Sequence, residues 1–455
     1  MSGWGSLGDP IRISEVNFHV RRESYRGAVL DGDPFNRGYT YGKLFRETIK
    51  LNVQHTQLFG GLPPRRVCEF LVREVYLPGI KAHWRKGLLE LTGMAAGSGI
   101  PLVDLVTLNV KDELATLRRL IVLKHGADSA AGAEGTRVVD ETISAYFPPA
   151  TTGNDAITAH SWNAPLPLCS GNCLVCLEIH HEPHERLPVI FMVTQAGLIG
   201  GNGMNSHGLV VTANRLSSVA DFYPQAGNYY LPSICLQRHL LGCMSTDGAY
   251  ALCQSYARHI SKNYIVSDRH GCTVSLELGP GEGPEHIFVH RGQLDDRAVL
   301  HTNHFQSFEA FAARRKVQEQ CWDGSSYSKL SRLRSLVTET KGRKLGVLDI
   351  MAIFSDHEGS PNGMCQHTMV SGTVLFVVFN STRRTISVCR GPPCANRMMH
   401  YTFDDDNDGM QGPAPEAEPD SSEEETDSSE EEPGASEAEP GASGVLRGRL
   451  TVRNL

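Results

Sequence analysis

A chain of 455 residues, 40 % of them apolar, is long enough to bury a sizeable core. No run approaches the roughly 18 uninterrupted apolar residues of a membrane span, and the opening MSGWGSLGDPIRISE lacks the basic and apolar regions of a secretory signal, so the expected address is cytoplasmic. The formal net charge of −8 averages two unlike parts: residues 404–440 hold sixteen Asp and Glu and no Lys or Arg, which leaves the remainder mildly basic at +8.

Twelve cysteines, irregularly spaced and mostly in apolar runs, are expected to be reduced core thiols rather than a disulfide framework. Residues 11–30 alternate as a strand pair. Asp33 and Pro34 then open a helix whose apolar stripe (Tyr41, Leu44, Phe45, Ile49, Leu51) reaches about Asn52. Helical periodicity returns at 65–75, at 80–95 after a break at Pro78-Gly79, and at 102–120 after a break at 97–101. A Gly/Ala-rich loop, 126–135, leads into residues 140–163, DETISAYFPPATTGNDAITAHSWN. There Thr142, Ser144 and Tyr146 alternate with Ile143, Ala145 and Phe147, Pro148-Pro149 ends the strand, and 156–161 returns as a second one.

Strands dominate from there on, at 173–180, 188–195, 208–213, 263–267, 273–278, 287–290, 373–380 and 385–390. Helices are expected at 233–241, 246–256, 328–338 and 348–354. Runs of strands with segregated helices predict an α+β fold of antiparallel sheets covered by helices, not a doubly wound parallel sheet. One domain is expected over residues 1–400, made of a helical segment (32–120), the loop (126–135) and a sheet core (140–400). A disordered acidic tail, 401–455, should follow, because repeats such as SSEEETDSSEEEPGASEAEPGAS offer too little apolar surface to offset chain entropy. Ser421, Ser422, Ser428 and Ser429 precede acidic runs and suit an acid-directed kinase. The C-terminus resembles a peroxisomal tripeptide only in Leu455, so peroxisomal import is less expected than a cytoplasmic address.

Several constellations look chemical in isolation. Cys169, Cys173 and Cys176 have a cluster-binding C-x3-C-x2-C spacing, but alternation along the strand sends Cys173 and Cys176 to opposite faces, and core thiols are expected. His180, His181, Glu182, His184 and Glu185 are expected to form a solvated turn, and Cys272 of Gly271-Cys272-Thr273 to pack in a strand. The glycines of 197–203 lead into another strand rather than a helix, which argues against a phosphate cradle.

The blocks GDPFNRGYTYGKL (32–44), LLELTGMAAGSGIPLVDLVTLNVKDEL (88–114), FMVTQAGLIGGNGMNSHGLVVTANRL (191–216), LPSICLQR (231–238) and LHTNHF (300–305) resemble, in this order, the isopenicillin N acyltransferase-like family, which includes acyl-CoA:6-aminopenicillanic acid acyltransferase and β-alanyl-amine hydrolases. The resemblance covers roughly residues 32–390. It implies an N-terminal-nucleophile (Ntn) hydrolase-like αββα sandwich of two antiparallel sheets, and a proenzyme that cuts itself before a Cys whose freed amine serves as base. It also implies acyltransferase or amide-hydrolase chemistry on an amide or ester bond of a small peptide- or amine-derived secondary metabolite, with a small-molecule amide, amine or acyl substrate as partner. No cofactor is expected, acyl-CoA would enter as substrate, and neither nucleic acid nor membrane is an expected partner.

At the site this chain departs from the family pattern. Where the family has Gly-Cys-Thr, the sequence reads Asp140-Glu141-Thr142, so Glu141 stands at the nucleophile position. Asn163 replaces the Asp that ends the hairpin, Gln366 replaces a late Arg, and Asn303, the implied oxyanion amide, matches unchanged. A carboxylate is a poor nucleophile toward an amide. The expected role of Glu141 is therefore general base, with a pKa raised by burial, while Asn163 and Gln366 form a neutral hydrogen-bonded pair in place of two charges. Thr142 as an alternative nucleophile would face away from Asn303 and Asn163. Glu141, Asn163, Asn303 and Gln366 are expected to converge on one pocket in an uncleaved chain. The alternative to an enzyme is a catalytically inactive member that binds a ligand or partner.

Overall fold

The computed structural model describes residues 25–125, 140–165, 173–218, 220–292, 296–307, 325–368, 371–403 and 450–453. The first part of the expected strand pair, the Gly/Ala-rich loop, Cys169 and the acidic stretch of the tail lie outside them. No described helix is long and apolar enough to cross a membrane.

One sheet of eight strands joins β1 (Arg26–Leu30), β4 (Leu174–Ile179), β5 (Ile190–Gln195), β6 (Asn202–Asn205), β7 (Val210–Arg215), β8 (Lys262–Ser267), β9 (Thr273–Leu278) and β10 (Ile287–Arg291) in that order. The second runs β11 (Ala298–His301), β2 (Asp140–Tyr146), β3 (Ile157–Pro165), β12 (Ser371–Asn380), β13 (Thr385–Arg390), β14 (Met398–Phe403), β15 (Leu450–Arg453). Among the described strand pairs, only β1–β4 at the edge is parallel. The short strands β6, β11, β14 and β15 are invisible to residue periodicity. β14 crosses the domain boundary expected at residue 400, and β15 returns a piece of the expected tail to the sheet, antiparallel to β14.

Period-two alternation explains the layering. In β12, Leu375, Val377 and Phe379 pack with Cys176, Phe191 and Val193 of the first sheet, whereas Phe376 and Val378 pack with Leu333, Val337, Ile350 and Phe354 of the helices α10 (Ser325–Glu339) and α11 (Val347–Phe354). The outer face of the first sheet is covered by α1 (Pro34–Leu44), α2 (Arg46–Phe59), α3 (Arg65–Leu71), α4 (Leu77–His83), α5 (Arg85–Ser98), α6 (Leu102–Asn109) and α7 (Lys111–His125), and by α8 (Ser233–Leu240) and α9 (Thr246–Gln254). The result is an αββα sandwich, two mostly antiparallel sheets packed face to face between helical layers.

Local chemistry fixes the helix bounds. The Asp33 carboxylate accepts from the Asn36 N–H at 2.9 Å and caps α1, which Phe45 separates from α2; Leu51 is exposed and does not belong to the buried stripe. Pro78 does not break the chain as expected. It falls in the first turn of α4, directly after a π-turn at Val72–Tyr76, where its missing N–H is tolerated. Helices α1 and α5 interlock through glycines: a Cβ on Gly38 or Gly42 would lie 1.8 or 2.3 Å from backbone oxygens of α5, and one on Gly93 or Gly97 would lie 2.0 or 2.1 Å from backbone oxygens of α1.

The histidine-rich turn is not solvated throughout. Arg37 of α1 is buried, and it is matched by Glu185, whose carboxylate accepts from Nη1 at 2.6 Å. Cys173 and Cys176 share the layer between the sheets instead of facing apart, because Cys173 precedes β4 and escapes its alternation. Cys272 is exposed in the turn ahead of β9, where its N–H bonds the Asp268 carboxylate at 3.1 Å.

Candidate active site between the two sheets

Strand β2 pairs with β3 in a register that sets Glu141 opposite Trp162 and Asp140 opposite Asn163. Ile143 and Ala145, two and four residues beyond Glu141, pack with Ile265 of the first sheet, so Glu141 and Trp162 belong to the face between the sheets. Asn303 clamps Glu141 twice. Its Oδ1 accepts from the Glu141 backbone N–H at 2.8 Å, and its Nδ2 donates to Glu141 Oε2 at 2.9 Å. The same carboxylate oxygen accepts from the Arg215 N–H at 2.7 Å, and Asn214 donates to the Glu141 carbonyl at 3.2 Å. Glu141 Oε1 accepts no hydrogen bond among the described residues, which leaves half of the carboxylate open.

The second hydrogen of Asn303 Nδ2 goes to the Arg215 carbonyl at 3.1 Å. Asn303 and the Arg215 N–H thus hold a carboxylate oxygen with the pair of donors that an oxyanion would require, and Glu141 itself fills that place.

Charged groups act on the Glu141 carboxyl. Lys262, opposite Arg215 in the sheet, pairs with Asp112 at 2.9 Å. Burial pushes the Asp112 carboxyl up, but the adjacent Lys262, Arg215 and Lys111 cations override it and hold the acid well below its ordinary range. Burial likewise lowers Lys262, and Asp112 with Glu141 more than restores it. For Glu141 burial prevails: the carboxyl is raised above its usual range, with Lys262 and the Arg215 N–H only partly offsetting the loss of water. Lys111 stands 5.9 Å over the Trp162 ring and also donates to the Gln195 amide. Two buried donors, Arg215 Nε and Trp162 Nε1, have no partner among the described residues.

Asn163 and Gln366 do not join this group. Strand alternation turns Asn163 to the opposite face, where its Nδ2 donates to the Met364 carbonyl at 3.1 Å and its Oδ1 accepts from Thr373 Oγ1 at 2.6 Å. The expected Asn163–Gln366 pair is replaced by a relay: Thr373 Oγ1 accepts from the Gln366 N–H at 2.9 Å, and the Gln366 side chain donates to the Gly363 carbonyl at 3.1 Å. The four predicted residues therefore split into Glu141 with Asn303 between the sheets and Asn163 with Gln366 beneath the second sheet. Thr142, fully buried, faces away from Asn303 as expected but shares its face with Asn163, so that part of the expectation is corrected. Restoring a charge alone should harm the protein. Asn163→Asp would oppose a carboxylate oxygen to the Met364 carbonyl, and a loss of about 2–4 kcal/mol in urea melts is expected.

His160 lies between the sheets two positions from Trp162, with Nδ1 3.3 Å from Asn202 Nδ2. Burial, reinforced by Lys262, lowers its imidazole to about 3, and burial lowers His259 to about 4. Unfolding lets both take up protons below their ordinary 6.5, so their contribution is intact above that pH and is lost as pH falls toward 4. Stability should decline there by about 1.4 kcal/mol per pH unit for each imidazole, measured by urea melts; a flat profile from pH 6.5 to 4 would contradict it.

Arg215, Asp112 and Trp162 each fall inside stretches already singled out in the sequence, but nothing in their spacing tied them to Glu141. Lys262, at the start of an apolar strand, gave no signal.

Comparison with known proteins names the family. The family model for acyl-coenzyme A:6-aminopenicillanic acid acyl-transferase matches residues 152–394, more than half of the chain. The acyl-coenzyme A:6-aminopenicillanic-acid-acyltransferase 40 kDa form of Emericella nidulans is 25 % identical over 372 residues, covering 80 % of this chain and 92 % of that one. Among solved structures, penicillin V acylase from Agrobacterium tumefaciens aligns at TM-score 0.35 with 12 % identity, over 54 % of this chain and 82 % of its own. A variant of conjugated bile acid hydrolase from Clostridium perfringens aligns at TM-score 0.36 with 8 % identity, over 58 % and 97 %. The chain belongs to the acyl-coenzyme A:6-aminopenicillanic acid acyl-transferase family.

Proposed function

We propose that this protein breaks or forms an amide or ester bond in a small amine-derived metabolite that carries an anionic group, with Glu141 as general base. The observation behind this reading is the half-held carboxylate: Oε2 is fixed by Asn303 and the Arg215 N–H, while Oε1 has no hydrogen-bond partner among the described residues. In the proposed step Oε1 takes the proton of a water or amine as its lone pair attacks the substrate carbonyl. The carbonyl π pair moves onto oxygen; on collapse the C–N or C–O bond breaks, and the leaving group receives the proton from Glu141. An acyl-CoA donor fits the same scheme, with a C–S bond breaking and the CoA thiol released.

Because Asn303 has spent both amide hydrogens, the two unpartnered donors are assigned to substrate, Arg215 Nε as a carboxylate anchor and Trp162 Nε1 as donor to the developing oxyanion. Arg215→Met should raise KM for carboxylate-bearing acylated amines about 10-fold or more while changing neutral analogues little. Equal effects on charged and neutral substrates would remove Arg215 as an anchor.

A second reading, a non-catalytic binding protein, is favoured by the same occupied donor pair, since Glu141 fills the place of a substrate oxyanion. Measurable ligand affinity without turnover in the wild-type chain would select it.

A further inference from the structure

Outside the candidate active site, four side chains converge on one point beside the start of β12 and the end of β13, two neighbouring strands of the second sheet. His357, Cys365 and His367 come from the connection between α11 and β12, and Cys394 from the turn after β13; their Nε2 and Sγ atoms all lie within 4.8 Å of one another. The two imidazoles face each other Nε2 to Nε2 at 3.0 Å, and the two sulfurs lie 3.5 Å apart. Each pair alone is a hydrogen bond, ring N–H to ring nitrogen and S–H to sulfur, but no pairwise contact requires all four atoms to meet at one point. The sulfur separation of 3.5 Å is well beyond a disulfide bond.

A tetrahedral ion accounts for both separations. With Zn–S near 2.3 Å and Zn–N near 2.05 Å, the edges of the tetrahedron are about 3.8 Å between sulfurs and about 3.4 Å between nitrogens. The two like-atom distances are slightly shorter than these edges, and the remaining separations stay within 4.8 Å. Two thiolates and two imidazoles select zinc over the oxygen-seeking Mg2+ and Ca2+, and four protein ligands leave no open position for substrate.

We propose that His357, Cys365, His367 and Cys394 form a structural Zn2+ site that pins the α11–β12 connection to the turn after β13. Binding would form two Zn–S and two Zn–N bonds and release the protons of the two thiols to solvent. The ion would also fix Gln366, which lies between two of the ligands and whose N–H reaches Thr373 and, through it, Asn163. This inference is independent of whether Glu141 is catalytic.

The test uses the full chain purified under reducing conditions, with bound metal measured by mass spectrometry after Zn2+ addition and desalting, and with Co2+ as a spectroscopic substitute. About one Zn2+ per chain is expected, together with the thiolate-to-metal absorption of tetrahedral Co2+ and protection of Cys365 and Cys394 from alkylation. Cys394→Ser, at an exposed turn where misfolding is least expected, should abolish the thiolate absorption of Cys394 and bring retained Zn2+ toward zero; His357→Gln should weaken binding and alter the Co2+ spectrum. No stoichiometric Zn2+ on the reduced wild-type chain, a Co2+ spectrum unchanged in both variants, or a Cys365–Cys394 disulfide that persists in reductant with excess Zn2+ would overturn the site.

Discussion

Turnover of the Glu141→Gln protein is expected to fall by about 100-fold or more, with ligand affinity retained. Gln preserves the shape of the side chain and an acceptor oxygen for Asn303 and the Arg215 N–H, and removes only the capacity to take a proton. The pH profile gives the same prediction a second readout. Burial raises the Glu141 carboxyl, so wild-type kcat/KM should show an acid limb above the usual carboxylate range, with activity rising as the proton leaves; the variant should lack that limb. Stability moves the opposite way. A group whose folded pKa is raised contributes stability below its unfolded value and loses it as pH rises through the folded one, so at neutral pH Glu141→Gln should match or exceed the wild type in urea melts. Lost activity with retained stability separates chemistry from folding, and unchanged turnover would remove Glu141 from the mechanism.

Gly38→Ala is expected to destabilise the fold by about 3 kcal/mol or more, because the added methyl would sit 1.8 Å from the Glu90 carbonyl and no side-chain rotation relieves a clash with backbone. Helices α1 and α5 would have to separate, and with them Arg37, which lies between Glu90 and Glu185. Gly248→Ala serves as control. It lies in α9 with its nearest contact 3.4 Å away, at the Ser245 hydroxyl, and should be neutral or gain up to about 1 kcal/mol from helix propensity. Comparable losses in both variants would mean that close helix approach is not the cause.

These residues also show what the sequence makes legible. The layered α+β fold follows from alternation such as that of β12, where each face of one strand meets a different partner layer. Asn303 and Glu141 were readable as a pair, and they lie 2.9 Å apart. The direction of Asn163 was not, because it depends on a register in which Asp140, not Glu141, is its partner, and a shift of one residue reverses the face. Glycines 38, 42, 93 and 97 stood out as part of a family pattern, yet their reason is steric: two backbones approach too closely for any Cβ. The ends of β7 and β8 bring Arg215 and Lys262 to Glu141 from another sheet, a relation that no local pattern encodes. The same holds for the Cys and His cluster, whose fourth member lies 27 residues beyond the third in sequence.

We infer that Glu141, at the position where the family resemblance implies a self-cleaving Cys, leaves the backbone uninterrupted. Glu141 has neither hydroxyl nor thiol to attack the preceding carbonyl. The most direct test is the intact mass of the purified chain, with sequencing of any new N-terminus. A single species at the mass of all 455 residues is predicted. Two fragments, the second beginning at Glu141 or Thr142, would contradict the account.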